Sequence, residues 1–598
     1  MDGSEVGEIH TFDDGSVSGN KKLCVSASST GKYVVKEYDE ATSTWVNLRV
    51  AQIGTVGYET LEAALAAAKD GETVKLLADV TVAGQLVAEK ALTLDLGGKT
   101  VTSTYANGGY AFLTRAAVTV KNGTFAAGQA RALSAYANLT LEDATITSEL
   151  AGGNCCVAFS AANCVYTVVN TKIVGAYAIA NFAHNATIAI TGSALEGSGC
   201  GLYHNGSNYG LKLTVSDTTI NGAIDQAIGE GKDPSGVYLS GSFDVLANAE
   251  NQNGAKGRHQ ATFTRCTIKG NTGVEVKYTD LTLEDCTVVA TTKEPSYTQN
   301  NNGMAALGFA VVSTDNATGN ATPKPEGTIT ITGADGSYTG LVGLGSLDSV
   351  KTGFADFEDA HYAVSGGTFS NAVLPEYCAA GFIPTANDDG TYGVKAGAYV
   401  AAIGTTGYET LEAALAAAKD GETVKLLADV TESVTIAADR TLTLDLNGKT
   451  LSAGKASEAL TVTGHLTIDD TSAAKSGRVV GDGRYAVYMN NRTAHVGEAA
   501  VGGSLTLNAG SLEGATYGVY ILANQAAFTM NGGKVSATQA ESIRVNNDYH
   551  AKTISLLSGE VGDVFLGSIS STELTTLTVG KADQTAPAAV KVGKIGLQ

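Results

Sequence analysis

The chain has 598 residues, of which only 17% are charged, and a formal net charge of -21 with a pI near 4.8. This length exceeds what one ordinary hydrophobic core serves, so we expect several domains or a repeat architecture that grows in one dimension. An acidic chain whose 39 Lys and Arg residues are scattered repels phosphate backbones. We therefore expect no nucleic-acid partner.

The sequence contains no run of eighteen apolar residues, so we expect no membrane insertion. The first ten residues, MDGSEVGEIH, have neither the basic nor the apolar region of a signal peptide. They fit a cytoplasmic start and the start of a mature fragment equally well. Eight cysteines in a chain of this length predict no disulfide framework. Composition alone leaves the compartment open.

Residues 1–53 form a lead that contains Trp45, the only tryptophan, and we predict that this lead is β-rich. The next segment, YETLEAALAAAKDGETVKLLADVT at 58–81, returns without a change at 408–431. Thr60 is placed to cap the N-terminus of a helix, and Gly71 is placed where the chain should leave it. Each copy predicts one short amphipathic helix, because its apolar residues follow helical spacing: Leu61, Ala64, Leu65 and Ala68.

Outside the two copies, the chain repeats a looser unit of eight residues. Apolar residues occupy positions 1, 3 and 8, with Thr between them and Asn, Asp or Gly at position 5 of most units. This period of two predicts short strands with sharp corners, and most starts lie 20 to 27 residues apart, as in the coils of a solenoid. The units are VTVKNGTF (118–125), LTLEDATI (139–146), YTVVNTKI (166–173), IAITGSAL (188–195), LTVSDTTI (213–220), ATFTRCTI (261–268) and LTLEDCTV (281–288).

Most units continue into a second strand, as in YAIANFA (177–183), CGLYHNG (200–206), YAVYMNN (485–491) and YGVYILA (517–523). More than one strand per coil favours a parallel β-helix over helical or leucine-rich repeats. Such a stack ends in an open apolar mouth and an unpaired strand edge, which the duplicated helix can cover. We therefore predict an all-β chain of two tandem right-handed parallel β-helices, each with a short N-terminal capping α-helix.

The duplicated segment, followed by LTLDLGGKT (92–100) or LTLDLNGKT (442–450), resembles the pectin-lyase-like right-handed β-helix superfamily. It is most similar to repeat modules of secreted surface proteins of Gram-positive bacteria. The stretch at 365–394 is similar to the closing segment of such modules. The resemblance implies export to the cell surface. We predict a β-rich lead at 1–53, a first β-helix at 54–395, a linker at 396–402 and a second β-helix at 403–598.

β-Helices of this superfamily often cleave acidic polysaccharides, so we considered the acidic residues of the coils as catalytic groups. Asp143, Asp217 and Asp285 are the candidates, but all three occupy position 5, where other coils have Asn122 and Asn170. Asn, Asp and Gly tolerate a left-handed backbone and bond to their own turn. We therefore predict that these acids form corners of the coils.

No other pattern predicts catalysis. The motifs HExxH and GxSxG and the phosphate-binding P-loop are absent from the sequence. The adjacent acid pairs at 13–14 and 469–470 predict solvated turns, since a glycosidase needs two separated carboxylates. We expect His204 and His259 to be solvated loop residues. We predict no catalytic residue, no metal ligand and no cofactor, and leave open whether a metal ion binds the acidic corners.

The cysteines permit a prediction about packing. Cys266 and Cys286 occupy position 6 of coils 20 residues apart, so they should lie on neighbouring rungs about 4.8 Å apart. A disulfide is possible at that distance, but in-register side chains point the same way, and we predict free thiols in a packed row. Cys155 and Cys156 should face opposite sides of a strand, which argues against a bond between them.

Two stretches, 222–260 and 291–327, are longer than a coil needs, and we predict that they protrude as loops. Long loops on a rigid scaffold often carry recognition, although a solvated polar excursion is the alternative. The stretch GLYHNGSNYG (201–210) adds two tyrosines that could stack on a sugar, with packing as the alternative. The candidate binding residues are Lys232, Lys256, Arg258, His259, Tyr297, Tyr203 and Tyr209.

The sequence thus favours a non-catalytic adhesin or stalk module on the bacterial cell surface, which presents loops to a host surface protein or glycan. An extracellular polysaccharide lyase or glycoside hydrolase of the β-helix type is one alternative, by analogy of fold alone. A purely structural spacer is the other. The sequence does not indicate the oligomeric state.

Overall fold

The computed structural model of the protein divides the chain into two compact units, Met1–Ala396 and Gly397–Gln598. Neither helix among the described residues is long and apolar enough to cross a lipid bilayer. The structure describes residues 23–27, 33–39, 43–106, 108–152, 154–223, 235–241, 258–293, 295–300, 303–314, 327–345, 360–490, 503–523, 525–546, 551–567, 574–581 and 590–597.

The first unit begins with an antiparallel sheet, followed by a capping helix. The helix α1 spans Leu61–Ala67, and the Thr60 hydroxyl accepts a hydrogen bond from the Ala63 amide at 3.1 Å. The predicted cap and helix are confirmed, and Gly71 has a left-handed φ of 83° where the chain turns into the first coil. The strands of this region are β1 (Leu23–Ala27), β2 (Tyr33–Asp39), β3 (Thr44–Asn47), β4 (Ala51–Ile53) and β5 (Val56–Tyr58).

Stacking of the coils forms three parallel sheets in the first unit, and we number the sheets by their order along a coil. Hydrogen bonds join each strand to the equivalent strands of the coils before and after it. The first sheet contains β6 (Glu72–Leu76), β9 (Leu92–Asp95), the first half of β12 (Val118–Ala127), the first half of β14 (Leu139–Ser148), β16 (Val165–Val169), β18 (Thr187–Thr191), β20 (Lys212–Ser216), β23 (His259–Thr264), β26 (Thr279–Glu284), β31 (Gly327–Thr332) and β34 (Ala360–Val364).

The second and third sheets follow the same stacking. The second contains β7 (Val80–Val82), β10 (Thr100–Ser103), the second halves of β12 and β14, the first parts of β17 (Lys172–Asn181) and β19 (Ala194–His204), β21 (Thr219–Asn221), β24 (Thr267–Gly270), β27 (Thr287–Ala290), β32 (Ser337–Thr339) and β35 (Thr368–Phe369). The third contains β8 (Leu86–Ala88), β11 (Tyr110–Thr114), β13 (Arg131–Ala135), β15 (Cys155–Phe159), the last parts of β17 and β19, β22 (Ser235–Leu239), β25 (Thr272–Val276), β30 (Phe309–Thr314) and β33 (Leu341–Gly345).

The two predicted loops are only partly loops. The stretch 222–260 contains β22, and the stretch 291–327 contains β30, and each of these strands forms a rung of the third sheet. The prediction missed them because each strand lies between long polar segments that hide the coil interval. The stretch 291–327 also contains an antiparallel hairpin, β28 (Ser296–Asn300) and β29 (Gly303–Leu307).

The end of the first unit is covered by the segment predicted to close it. A 3-10 turn at Pro375–Tyr377 precedes an antiparallel hairpin of β36 (Phe382–Ala386) and β37 (Tyr392–Ala396). Val373 and Tyr377 are buried in the same core as the coils. This packing removes apolar side chains of the last coil from water.

The second unit repeats the plan with its own helix, α2 (Leu411–Ala417), whose N-terminus is capped by Thr410. Its first sheet contains β38 (Ala401–Ile403), β39 (Thr406–Tyr408), β40 (Thr423–Leu426), β43 (Thr441–Asp445), β46 (His465–Asp469), β49 (Ser504–Leu507), β52 (Ala527–Met530), β55 (Thr553–Leu556) and β58 (Thr576–Val579). Its second contains β41 (Val430–Thr431), β44 (Thr450–Ser452), β47 (Arg478–Gly481), β50 (Ser511–Gly514), β53 (Lys534–Ala537), β56 (Gly559–Val561) and β59 (Val590–Val592). Its third contains β42 (Val434–Ile436), β45 (Glu458–Val462), β48 (Tyr485–Met489), β51 (Tyr517–Ile521), β54 (Ile543–Val545), β57 (Val564–Leu566) and β60 (Ile595–Leu597).

The two units thus confirm the predicted fold class of tandem parallel β-helices, each with an N-terminal capping helix. Each helix buries its apolar face against its own unit: Leu61, Ala64 and Leu65 in the first and Leu411, Ala414 and Leu415 in the second.

Position 5 of the coils is the corner between the first and second sheets, as predicted. Its residues have left-handed φ values, and their side chains connect neighbouring coils. Asn170 Nδ2 donates to Asp143 Oδ1 at 3.3 Å, and Arg265 donates two hydrogen bonds to the Asp217 carboxylate at 2.8 and 2.9 Å. The φ values are 58° at Asn122, 48° at Asp143, 46° at Asn170, 60° at Gly192, 50° at Asp217, 51° at Arg265 and 50° at Asp285.

The thiols follow the predicted packing. Cys266 and Cys286 are free and buried, and their Sγ atoms donate to the carbonyls of Thr264 (3.4 Å) and Phe263 (3.3 Å). Cys156 lies in the core inside the coils, whereas Cys155 belongs to a cluster on the outer side of the third sheet. The two adjacent thiols therefore face opposite sides of β15.

We expect Asn170→Val to lower the free energy of unfolding of the first unit by about 1–3 kcal/mol, because a β-branched residue is strained at a left-handed corner. Asn170→Gly keeps the backbone conformation and should cost less than about 1.5 kcal/mol for the lost hydrogen bond. Urea unfolding followed by circular dichroism measures both changes. Thr187→Val, at an exposed extended position, is the control and should change little. Equal losses in the two Asn170 variants would contradict the corner assignment.

Candidate functional site

Of the predicted binding residues, the structure describes the side chains of four: Tyr203, Tyr209, Arg258 and His259. Lys232 and Lys256 lie outside the described residues. Tyr297 lies in β28, and its side chain is not among those described. The half-buried Arg258 pairs with Asp280, with Nη1 3.2 Å from Oδ1. For Lys232, Lys256 and Tyr297 the assignment as binding residues stays a prediction.

The two histidines predicted to be solvated are buried in the first unit. His204 is 1% exposed and His259 is 0% exposed, and their rings meet edge to face with centroids 4.4 Å apart. Asn181 Nδ2 donates to His204 Nδ1 at 2.8 Å. His259 Nε2 donates to the Ser240 carbonyl at 3.1 Å, and its Nδ1 accepts from the Leu211 amide. The prediction was wrong because both residues turn inward at a coil end, so His259 is not an exposed binding residue.

The tyrosines predicted to stack on a sugar also lie in packed surroundings. Tyr203 is 5% exposed and stacks on Tyr238, with ring centroids 5.8 Å apart. Tyr209 is half-buried, and its ring centroid is 4.3 Å from that of His184. The packing alternative therefore applies to Tyr203.

The acid pair at 469–470 is not a solvated turn either. The Asp470 carboxylate is buried and accepts hydrogen bonds from the amides of Gly448 (2.9 Å) and Ser472 (3.0 Å). The neighbouring Asp469 Oδ1 accepts from the Asp470 amide at 2.8 Å. The Asp470 carboxylate thus holds the turn between two coils through backbone amides.

We call the outer side of the third sheet the third-sheet face, and its burial differs between the two units. In the first unit, register places Tyr203, Tyr238, Glu275 and Val312 on successive rungs of this face. All four are buried, although they point away from the core inside the coils. Hence the face is covered in the first unit.

The third-sheet face of the first unit contains a buried ion pair. Glu275 and Lys277 are both 0% exposed, with Oε1 and Nζ 3.6 Å apart, and Lys277 Nζ lies 5.4 Å from the ring centroid of Tyr238. Burial raises the pKa of Glu275, whereas the nearby Lys277 lowers it. Glu275 also accepts hydrogen bonds from the Ala306 amide and the Thr314 hydroxyl, both at 2.9 Å. The pair is thus enclosed by protein.

In the second unit, the third-sheet face carries a cluster of partly exposed aromatic rings. Tyr488 and Tyr520 occupy one column of neighbouring rungs, with centroids 5.6 Å apart and planes 8° from parallel. Tyr485 and Tyr517 occupy the adjacent column at 5.8 Å and 9°. Tyr485 is 8% exposed, and the other three are half-buried. We call these four residues the tyrosine patch.

Cations border the tyrosine patch. The Arg484 guanidinium lies 5.4 Å from the Tyr485 ring centroid, and Arg484 is exposed. Arg544 follows Tyr520 on the next rung and lies 4.0 Å from the Phe565 ring centroid. Arg544 Nη1 also donates to Glu541 Oε1 at 3.3 Å. Aromatic rings with flanking guanidinium groups are the composition typical of binding interfaces.

A cavity of about 300 Å³ lies near the N-terminal end of the same face. Leu415 and Ala416 of the capping helix line one side, and Thr435 and Ile436 of β42 line the other. Register places Thr435 two rungs before Tyr488 in one column. The cavity and the tyrosine patch therefore lie along one strip of the second unit.

The sequence analysis predicted the two segments of the tyrosine patch as strands and did not predict the patch itself. The signal was present, because YAVY at 485–488 and YGVY at 517–520 place tyrosines at matching positions of successive coils. The spacing of three residues puts the two tyrosines of each segment on opposite sides of an alternating strand, but alternation cannot show whether the outer side is covered. Among the described residues, no three His, Cys, Asp or Glu side chains are grouped so that they could share a metal ion.

The buried histidines predict a pH dependence of stability. Burial lowers the pKa of His259 to about 4, and burial together with the adjacent His259 lowers the pKa of His204 well below its usual value. Below pH of about 6.5 the unfolded chain binds protons that the folded unit does not, so stability falls as the pH falls toward 4. Each histidine contributes up to about 1.4 kcal/mol per pH unit in that window.

We therefore expect the combined His204→Gln and His259→Gln variant to show a flatter dependence of unfolding free energy on pH between 6.5 and 5. Denaturant unfolding of the first unit at several pH values measures how the free energy of unfolding changes with pH. This slope can be compared between variants even if their absolute stabilities differ. His465→Gln, which changes an exposed histidine of the second unit, is the control. An unchanged slope in the double variant would contradict the assignment.

Neither a known protein-family profile nor a curated protein matches the chain. Among solved structures, it is similar to ORF18 of Geobacillus virus E2, with 11% identity and a TM-score of 0.30 over 58% of this chain and 72% of that one. It is also similar to a mutant of AlyGC, an alginate lyase of the PL6 family, with 11% identity and a TM-score of 0.16 over 90% of this chain and 98% of that one. Both superpositions are too poor to support a conclusion about fold or function.

Proposed function

We propose that the chain is a non-catalytic recognition module of a bacterial cell-surface protein, with the role of an adhesin. Its coils form a rigid support, and its tyrosine patch contacts a host surface protein or glycan. The observation that carries this proposal is the cluster of four tyrosines and two arginines, partly open to solvent on a regular sheet. Side chains fixed by a sheet lose little conformational entropy on binding.

The roles of the acidic residues support a non-catalytic function. Asp143, Asp217 and Asp285 have left-handed backbones at the corners of the coils. Asp470 is occupied by backbone amides. Glu275, the carboxyl whose pKa burial raises, is enclosed with Lys277 away from solvent. A glycosidase instead needs two carboxylates that both reach the scissile bond.

Location outside the cell is part of the same proposal. It is supported by the resemblance of the duplicated capping segment to modules of secreted surface proteins, together with the confirmed stack of coils behind each copy. The insertions that contain Lys232, Lys256 and Tyr297 are proposed as secondary contacts with the same ligand. A lyase would cleave its polysaccharide, and a spacer would bind no ligand. Binding and cleavage assays on purified protein therefore separate both alternatives from this proposal.

We expect the full chain to bind at least one member of a panel of immobilised polysaccharides and extracellular-matrix proteins without cleaving it. The combined Tyr517→Ser and Tyr520→Ser variant should bind about 30-fold more weakly, because central aromatic contacts are worth about 2 kcal/mol. Surface plasmon resonance measures affinity, and chromatography of the polysaccharides after incubation measures cleavage.

Tyr136→Ser is the matched control, since Tyr136 is a tyrosine of the first unit with 51% exposure. It should leave affinity unchanged, and thermal unfolding checks that all variants fold. Depolymerisation of a polysaccharide would replace the proposal with the lyase. If the chain binds no member of the panel and also fails to bind cells in an adhesion assay, the spacer is favoured.

A further inference from the structure

Position 6 of the coils, the residue after each corner, forms a column of hydrogen-bonding side chains in the middle of the first unit. Each hydroxyl of this column accepts the amide of position 6 in the preceding coil, as the Thr218 hydroxyl does from Ser193 at 3.3 Å. The column therefore ties each corner to the coil before it. Each hydroxyl also donates to the carbonyl two residues earlier: Thr171 to Val169 at 2.7 Å, Ser193 to Thr191 at 2.9 Å and Thr218 to Ser216 at 2.7 Å.

The next two coils carry thiols in the same column. Register places Cys266 one rung after Thr218 and Cys286 one rung after Cys266. Both thiols keep the bond to the carbonyl two residues earlier, but at 3.4 Å, because a thiol is a weaker donor than a hydroxyl. Ser or Thr serves the corner better, so hydrogen bonding alone does not account for two thiols in succession.

The two thiols lie within reach of each other. The Cys286 sulfur contacts the coil of Cys266, where it accepts a hydrogen bond from the Cys266 amide and donates to the Phe263 carbonyl at 3.3 Å. The two thiol groups are also hydrogen-bonded to each other. Neighbouring rungs lie about 4.8 Å apart, within the Cα separations of about 4.4 to 6.8 Å found in disulfides. The backbone thus holds both residues at a spacing that a disulfide accepts.

The two thiols differ in reactivity. The hydrogen bond from Cys286 lowers the pKa of Cys266, whereas the same contact, together with burial, raises the pKa of Cys286. Since the thiolate is the nucleophile in thiol–disulfide exchange, Cys266 reacts first. Both thiols are buried, but Arg265 and Thr267 on either side of Cys266 are exposed, so only the corner has to open to admit a small reagent.

We propose that Cys266 and Cys286 are a site of reversible oxidation, where a small disulfide compound converts the two thiols into a covalent bond between neighbouring coils. The Cys266 thiolate attacks one sulfur of the compound, forms a mixed disulfide and releases one thiolate. The Cys286 sulfur then attacks Cys266 Sγ and releases the second. Two electrons pass from the protein to the compound, and the two protons of the protein thiols end on the two released thiols.

The bond would close a loop between positions 266 and 286, which contains β25. Closing a loop restricts the unfolded chain and thereby stabilises the folded one. The rung spacing lies at the short end of the disulfide range, so the bond should be readily reduced again. The site therefore responds to the redox conditions around the protein, and it is independent of the proposed recognition function.

The test is incubation of the folded full chain with oxidised glutathione, followed by alkylation of the remaining thiols, trypsin digestion and mass spectrometry. Trypsin cleaves after Arg265, Lys269 and Lys277, so the two cysteines fall in separate peptides unless a disulfide joins them. We expect the joined peptides as the main product of oxidation, and their loss on addition of dithiothreitol. The urea midpoint of the first unit should rise on oxidation and return on reduction.

Cys266→Ser and Cys286→Ser place a hydroxyl in the column, as at Ser193, so both variants should fold, and neither should show the shift in midpoint. Cys155→Ser changes a thiol on the outer side of the third sheet and should leave the joined peptides unchanged. The proposal is overturned if the folded chain forms no joined peptides, even in urea below its unfolding transition. It is also overturned if oxidation gives only mixed disulfides, or if the unfolded chain forms this pair in equal yield.

Discussion

In-register pairing of parallel backbones is the constraint on which the rest of the structure depends. Each strand donates and accepts its hydrogen bonds with the coils on either side, so the position of a residue within a coil sets the direction of its side chain. Thr119, Thr140 and Thr167 illustrate this, because register places all three on successive rungs of the first sheet. A residue type repeated at one position of the coil therefore becomes a stripe along the surface, as the tyrosines do in the second unit.

The same constraint explains why acidic residues are frequent without being catalytic. A coil must turn at the same point as its neighbours, and residues such as Asp143 and Asn170 adopt a left-handed backbone there while their side chains bond to each other. The capping helices depend on the stack in turn. Each has only seven residues and would be marginally stable alone in water, and it is held by burial of its apolar face, which includes Leu61 in the first unit and Leu411 in the second. Binding is consequently left to whatever the outer faces carry.

Local patterns in the sequence predicted what depends on the coil alone. The helix caps, the corners, the free thiols and the stacking of the first sheet all follow from spacing and residue type. Three features could not be predicted, because they depend on what covers a face. The period of two cannot show that Glu275 is enclosed on the outside of its sheet, that His259 turns inward, or that Tyr520 stays partly open. The strands β22 and β30 were missed because insertions interrupt the coil interval.

The most direct test of the account is a distance measurement along one column of the first sheet. Register places Thr214 four rungs from Thr119 and Thr262 five rungs from it, although 48 residues separate Thr214 from Thr262. Spin labels carried by a non-natural amino acid at these positions leave the native cysteines unchanged. Pulsed electron paramagnetic resonance should give a separation of about 19 Å between positions 119 and 214 and about 24 Å between positions 119 and 262. A second distance that exceeds the first by much more than one rung would contradict in-register stacking.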